Sequence, residues 1–169
     1  RTNNFIAKIN VLNNLAIVEI ARTNYEKALQ YLHEAQDANQ LILYQRGNAL
    51  TLGNIGTVYY FLGEFSNSLE YLKQAMLLLR HIHDKGFLSK ILVVIGKVFQ
   101  STGQISEGIA FFNEVLPVIQ ELKYTSSEIT IIQWMGLLYG DDGDSQRALQ
   151  LFEQAIPGLE KINDLNQRA

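Results

Sequence analysis

Cysteine is absent from the 169 residues, and its absence excludes disulfide scaffolds, thiolate zinc sites and cysteine nucleophiles. Proline occurs twice, and there is no low-complexity run. With 47% hydrophobic residues, the composition describes a folded domain long enough to bury a substantial core. Long apolar runs are missing too. None approaches the roughly 18–20 residues that a membrane span requires, so no membrane partner is expected. The opening Arg1-Thr2-Asn3-Asn4 lacks the hydrophobic stretch of a secretory signal. An initiator methionine is also lacking, which points to a piece of a longer protein, with the cytoplasm as the default location. The last absence is an excess of positive charge. The formal net charge is −3, whereas neutralising many phosphates needs a basic surface, so nucleic acid is not an expected partner. The charge is uneven: residues 1–100 carry +3 and residues 101–169 carry −6, which makes the two ends electrostatically distinct.

A reaction centre is missing as well. No Gly-Lys-Ser/Thr follows any glycine, as a phosphate loop would need. His33, His81 and His83 are the only histidines. The last two are two residues apart, which splits them across a helix, whereas an i, i+4 zinc pair shares one face. All three read as surface or inter-helix residues. Serines, acids and histidines never combine at the spacing of an activated nucleophile. No enzymatic activity, cofactor or metal is expected.

What the chain does have is an internal repeat, visible when the sequence is laid over itself at a shift of 40 residues. Leu12-x2-Leu15-Ala16-x2-Glu19 becomes Leu52-x2-Ile55-Gly56-x2-Tyr59, then Leu92-x2-Ile95-Gly96-x2-Phe99, then Ile132-x2-Met135-Gly136-x2-Tyr139. The second half of each unit keeps the same beat, with Ala28-x3-Leu32, Ser68-x3-Leu72, Gly108-x3-Phe112 and Ala148-x3-Phe152. A further column holds Ala35, Ala75, Val115 and Ala155. No gap is needed anywhere. The i, i+3, i+4, i+7 spacing of the first group is one face of a helix. A glycine within that face costs about 1 kcal/mol relative to alanine, so Gly56, Gly96 and Gly136 imply close approach by a packed helix. The small residues of each unit's own second helix supply the complementary side. Gly63, Gly103 and Gly143 fall between the two helices, where a left-handed cap is cheapest for glycine. Asn24, Glu64, Gln104 and Asp144 then open the second helices. Asp141-Asp142-Gly143-Asp144 is therefore turn chemistry; it lacks the spaced ligands and closing glutamate of a calcium loop.

These columns closely resemble the tetratricopeptide-repeat (TPR) pattern, in which a large residue precedes Leu-Gly, Tyr, Ala, Phe and often Pro. The resemblance covers essentially the whole chain. Its period of 40 exceeds the usual 34, as in kinesin-light-chain-like and bacterial peptide-sensor repeats, and the first unit departs from the pattern at Ala16 and Glu19. The expected fold is an all-α superhelix, a TPR solenoid of four helix–turn–helix repeats in a single domain, 1–169, with repeats near 5–44, 45–84, 85–124 and 125–164. The periodicity places first helices near 5–22, 46–62, 86–102 and 126–141. Second helices fall near 24–42, 64–82, 104–122 and 144–162.

The resemblance implies a concave groove lined by the opposite face of the first helices. That stripe is rotated by about 130° from the core at 100° per residue. It reads Asn10, Asn13, Ile17 and Ile20, then Leu50, Gly53, Thr57 and Tyr60. The third unit gives Lys90, Val93, Lys97 and Gln100, and the fourth Thr130, Gln133, Leu137 and Gly140. Asn14, Asn54, Val94 and Trp134 run beside it. Amides that can satisfy a peptide backbone, together with aromatic anchors, suit peptide recognition. The plain alternative for each residue is solvation or packing within the solenoid, and Trp134 could simply fill a gap between repeats. Asn54 and Lys90 match places in the clamp that holds chaperone carboxylates. Asn13, Ile17 and Val94 break it, so that activity is not implied.

Lys90 and Lys97, two turns and about 10 Å apart, favour a partner with an acidic side chain or a free carboxylate; the alternative is that both are merely solvated. The expected function is a protein- or peptide-binding scaffold. The alternative is a peptide-sensing domain of a larger regulator. Leu151, Phe152, Ile156, Leu159 and Ile162 have nothing after them to cover them all. Since solenoids need polar caps, further repeats or self-association through an end are expected.

Overall fold

The computed structural model of the chain describes residues 2–167; Arg1, Arg168 and Ala169 of the expected 1–169 domain lie outside the described residues. Eight helices follow one another: α1 (Thr2–Ala21), α2 (Tyr25–Ile42), α3 (Gln45–Phe61), α4 (Phe65–His81), α5 (Lys85–Thr102), α6 (Ile105–Glu121), α7 (Thr125–Asp141) and α8 (Ser145–Gln167). The class is the expected one, all-α with sequential antiparallel packing. Boundaries agree with the 40-residue period to within a residue, except that α1 starts earlier and α8 runs on to Gln167.

The regular lengths come from how each helix stops. The chain reverses through one left-handed residue at Thr23 (φ 60°), Leu43 (50°), Gly63 (76°), His83 (57°), Gly103 (66°), Lys123 (55°) and Gly143 (89°). These residues are spaced every twenty positions, half the repeat. The N–H of the next residue then closes onto a carbonyl five residues back, as in Asn24 N to Glu19 O (2.8 Å) and Glu64 N to Tyr59 O (2.9 Å). This satisfies carbonyls that the helix end leaves unpaired. Glycine is the expected residue for such a turn, yet four of the seven positions carry a side chain.

The helix starts differ from expectation. Of the four residues expected to open the second helices, only Asp144 caps with its side chain, accepting from the Arg147 N–H at 3.0 Å; Asp84 caps α5 in the same way, accepting from the Phe87 N–H at 3.3 Å. Asn24, Glu64 and Gln104 stand at the cap position without a side-chain cap bond. The Asn24 amide turns back to donate to Glu19 Oε2 at 3.0 Å. Glu19 explains why. It occupies the aromatic column of the repeat, is buried, and also has Lys27 at 3.5 Å and Arg22 at 3.8 Å. A buried carboxylate is costly unless paired, so Asn24 serves it in preference to the helix start.

Two compact units divide the chain, Arg1–Val94 and Ile95–Ala169, with the boundary inside α5. In the first, α1 packs on α2, α3 on α4, and α2 and α1 on α3. Ala16, Ala28, Leu32, Ile55 and Val58 form its core cluster. Gly56 allows the close approach that the repeat predicts: a methyl there would meet Leu72 and the Ser68 carbonyl of α4, and the Ser68 hydroxyl donates to Gly56 O at 2.8 Å.

In the second unit α7 packs on both α6 and α8. Phe99 lies against Phe111 and Phe112 at ring separations of 5.7 and 6.4 Å. Gly136 faces Phe152 of α8. Gly96 departs from the expectation that it packs on its own second helix. The atoms nearest an added methyl all belong to the indole of Trp134, on α7 of the following repeat. A large side chain there replaces the Asn54 of an earlier repeat and fills the space that glycine leaves.

Two outcomes follow. Gly96→Leu should overpack the indole and lower stability by about 1–3 kcal/mol. Urea melts followed by the fluorescence of Trp134, the single tryptophan, should show that loss together with a red-shifted native emission. Conversely, Leu43→Gly and Lys123→Gly remove a left-handed penalty of about 1–2 kcal/mol each at exposed positions. Part of that gain is offset by the freer unfolded chain, so thermal melts should show a small net rise.

Candidate functional site

Four buried polar side chains meet where α1, α2 and α3 join in the first unit. The Asn13 amide of α1 donates to Thr51 Oγ1 and to Ile9 O, both at 3.0 Å. Asn39 of α2 donates to the same hydroxyl at 3.1 Å, and Thr51 passes its own proton to Gly47 O at 2.9 Å. Asn54 of α3 returns to Asn13 Oδ1 at 2.9 Å. Asn39 Oδ1 has no hydrogen-bond partner among the described residues and lies against Gly47. The network is specific to this junction. One and two periods on, Asn39 is replaced by Leu79 and Ile119, and Thr51 by Ile91 and Ile131. Apolar side chains would serve here as they do there, so the polarity is not required by the fold.

Above the network opens a cleft of about 370 Å³, lined by Asn10, Asn13, Asn14 and Ile17 of α1, Arg46, Leu50 and Asn54 of α3, and Phe87 of α5. That volume lies at the lower end of ligand pockets. Asn13 and Asn54 form the floor, only 4% and 8% exposed, while Asn10 and Asn14 stand exposed on the rim. On the rim, Asn10 and Asn14 each offer donors and an acceptor together, the pairing that an extended polypeptide backbone presents, whereas Asn13 spends both N–H groups on Ile9 O and Thr51 Oγ1. Ile17, Leu50 and Phe87 give apolar walls. Arg46 donates to Asp84 Oδ2 at 2.9 Å. That bond, with a further one to Tyr44, raises its pKa above the usual arginine value despite some burial, so the cleft edge keeps a cation whose charge is already matched.

Of the residues expected to form a groove, Asn13, Ile17 and Asn54 come together in this cleft, with Asn10, Asn14 and Leu50 of the same stripes. Gly53 lies under Ile91 and Phe87. Thr57 is half-buried and returns its hydroxyl to Gly53 O at 2.8 Å. Tyr60 packs its ring near Phe61 and Phe65, at 5.3 and 6.0 Å. Lys90 is exposed and Val93 half-buried. In the second unit Lys97, Gln133 and Leu137 are exposed, Gln100 donates to Asp141 Oδ2 at 2.8 Å, and Trp134 is buried on Gly96. Arg46 and Phe87 were absent from the expected stripes. They lie four residues before Leu50 and three before Lys90, so extending each stripe back by one helical turn would have found them.

Among the described residues no group of three or more His, Cys, Asp or Glu gathers as a metal site would, and no helix is long and apolar enough to cross a membrane. His33, His81 and His83 are exposed.

The repeat geometry has a counterpart among known families. The family model for tetratricopeptide repeats matches residues 8–80, the first two repeats and the whole floor of the cleft. Residues 8–80 are thus tetratricopeptide repeats, and the later residues keep the same 40-residue columns. Repeats of this kind are typically protein–protein interaction scaffolds and generally non-catalytic. No curated protein matches the chain. Among solved structures, it is similar to BtubC (BKLC) from P. vanneervenii, with a TM-score of 0.72 and 15% identity over 92% of this chain and 64% of that one. It is also similar to the nearly identical TPR-like repeats of a putative kinesin light chain of Podosopora anserina (0.69, 16%, 91% and 76%). A third is the Rap conjugation gene regulator of the plasmid pLS20 in complex with the Phr* peptide (0.66, 20%, 91% and 43%). At such identities the likeness is one of fold. The chain spans under two thirds of the BtubC chain and under half of the Rap chain.

The network generates a stability test. Thr51→Val leaves the Asn13 and Asn39 amides short of an acceptor and should cost about 1–3 kcal/mol. Adding Asn39→Leu, the residue found one period on, removes the stranded amide and should recover most of that loss. A double-mutant cycle by urea denaturation reads the coupling.

Proposed function

We propose that this chain is a peptide-binding scaffold that holds an extended segment of a partner protein in the asparagine-floored cleft of its first unit. The observation that carries the reading is the placement of Asn10, Asn13, Asn14 and Asn54 around one opening between apolar walls. Primary amides bind the main chain of an extended segment with little regard to its sequence, while Ile17, Leu50 and Phe87 take an apolar side chain beside it. Pre-paired amides on the floor are held rigid by Thr51, which lowers the ordering cost of binding. A sensory version, in which a short peptide resets an attached effector, draws support from the fold likeness to the peptide-bound Rap regulator. Effector output with and without peptide separates the two versions.

The test begins with peptides selected from a random library on the immobilised chain. Replacing the exposed pair, Asn10→Ala with Asn14→Ala, should weaken those peptides about tenfold or more in isothermal titration, with an unchanged melting temperature. Equal affinity would remove the cleft from the site. The acidic-partner expectation is tested separately. Lys90→Glu and Lys97→Glu, each made alone, should weaken peptides that carry a carboxylate. The wild-type affinity for those peptides should fall as salt rises, since rim charges act mainly on association rate and salt dependence.

A further inference from the structure

One edge of the cleft is built from residues that break their columns. Arg46 stands where the other repeats have Ile6, Gly86 and Ser126, and Phe87 where they have Ala7, Gly47 and Ser127. Asp84 takes the place that Tyr44 and Tyr124 hold at the matching turns, and neither tyrosine makes a side-chain cap bond. Gly53 falls in a column of Asn13, Val93 and Gln133. The repeat folds with other residues at all four places, so the fold does not call for these. They nevertheless meet. A methyl on Gly53 would come within 2.8 Å of the Phe87 ring, so the missing side chain makes room for that wall. Asp84 joins the other two: Oδ1 accepts from the Phe87 N–H at 3.3 Å, and Oδ2 accepts from Arg46 Nε at 2.9 Å. Arg46 and Phe87 line the opening, and Asp84 stands behind them.

The two bonds have different consequences. The one to the Phe87 N–H caps the first turn of α5 and fixes where the ring enters the cleft. The one to Arg46 is charge-assisted and therefore strong. Asp84 is the more sheltered partner, its side chain 16% exposed against 55% for Arg46. The Nε–H is thereby spent, and Tyr44 engages a further N–H of the guanidinium. A guanidinium has five N–H groups, so donors remain after both bonds are made. With a carboxylate at 2.9 Å, Arg46 offers these hydrogen bonds without offering net charge. A neutral carbonyl oxygen can take them. A ligand carboxylate would also have to approach Asp84, and like charges repel.

We infer that Asp84 is a positioning residue that sets what this edge of the cleft selects. Through Arg46 it makes the edge a donor to a main-chain carbonyl in preference to a carboxylate, and through the Phe87 N–H it seats the wall for an apolar side chain beside that carbonyl. The inference rests on the peptide-binding reading of the cleft and adds the class of segment, uncharged and apolar where it meets Arg46 and Phe87. The acidic-partner expectation then attaches to Lys90 and Lys97 and not to Arg46.

Peptides selected from a random library on the immobilised chain test it, together with analogues in which each residue in turn is glutamate. Asp84→Asn keeps one oxygen for the Phe87 N–H but removes the charge that balances Arg46. On this variant one glutamate analogue should gain about fivefold or more, relative to its parent peptide, over the same ratio on the wild type. The gain should shrink as salt rises, and adding Arg46→Gln should abolish it. Asp84→Ala, which removes the cap as well, should weaken the parent peptide itself; circular dichroism melts verify that each variant is folded. Suppose that Asn10→Ala with Asn14→Ala weakens the peptides, yet no glutamate analogue gains on Asp84→Asn, or the gain survives Arg46→Gln. The cleft reading then stands and the inference about Asp84 is overturned. Peptides indifferent to the asparagine pair and to every Asp84 variant would remove the cleft reading, and this inference with it.

Discussion

The turns at Thr23, Leu43, Gly63, His83, Gly103, Lys123 and Gly143 all reverse the chain through one left-handed residue, and nearly everything else depends on their even spacing of twenty. Equal spacing makes the six inner helices nearly equal, at 17 or 18 residues each. Matched helices bring the same column of side chains to the same face in each repeat, so one pattern of large and small residues can be reused. Left-handed backbone is cheap only for glycine. Four turns nonetheless close with other residues, because the two hydrogen bonds at each helix end and the packing of the flanking helices over-determine the geometry.

Within that frame, polarity is concentrated where it is least needed for folding. Asn13, Asn39, Thr51 and Asn54 occupy a junction that the later repeats build from apolar side chains, and Asn39 Oδ1 has no hydrogen-bond partner there. Buried amides contribute little net stability. They do fix orientation, and the amides they orient are the floor of the cleft. Glu19 shows the same trade on a smaller scale: a carboxylate in an aromatic column draws Asn24 away from capping α2.

The eight helices were legible because a 40-residue shift aligns core columns without a gap, and because three intra-repeat turns carry glycine. The turns at Thr23, Leu43, His83 and Lys123 fall in the gaps that the repeat leaves between helices, but their left-handed backbone was not legible, since no residue type marks it. Gly56 behaved as its column implied. Gly96 did not, because its neighbour is decided by one residue in another column, Trp134, whose size redirects the contact to the next repeat. The candidate site was half visible. The stripe placed Asn13, Ile17 and Asn54 on one face, but a helical wheel carries no depth, so it could not tell that Asn13 and Asn54 are the floor and Asn10 and Asn14 the rim. Arg46 and Phe87 were missed for want of one helical turn.

The placement of the binding surface is the claim on which the functional reading rests, and hydrogen exchange reads it most directly. Amide exchange of the chain should be measured by mass spectrometry, free and saturated with a library-selected peptide. Added protection is predicted in α1 around residues 10–17 and in α3 around residues 46–54, with the outer faces of α2 and α4 unchanged. Protection confined to α2, α4 or the second unit, with none in α1 and α3, would contradict the account.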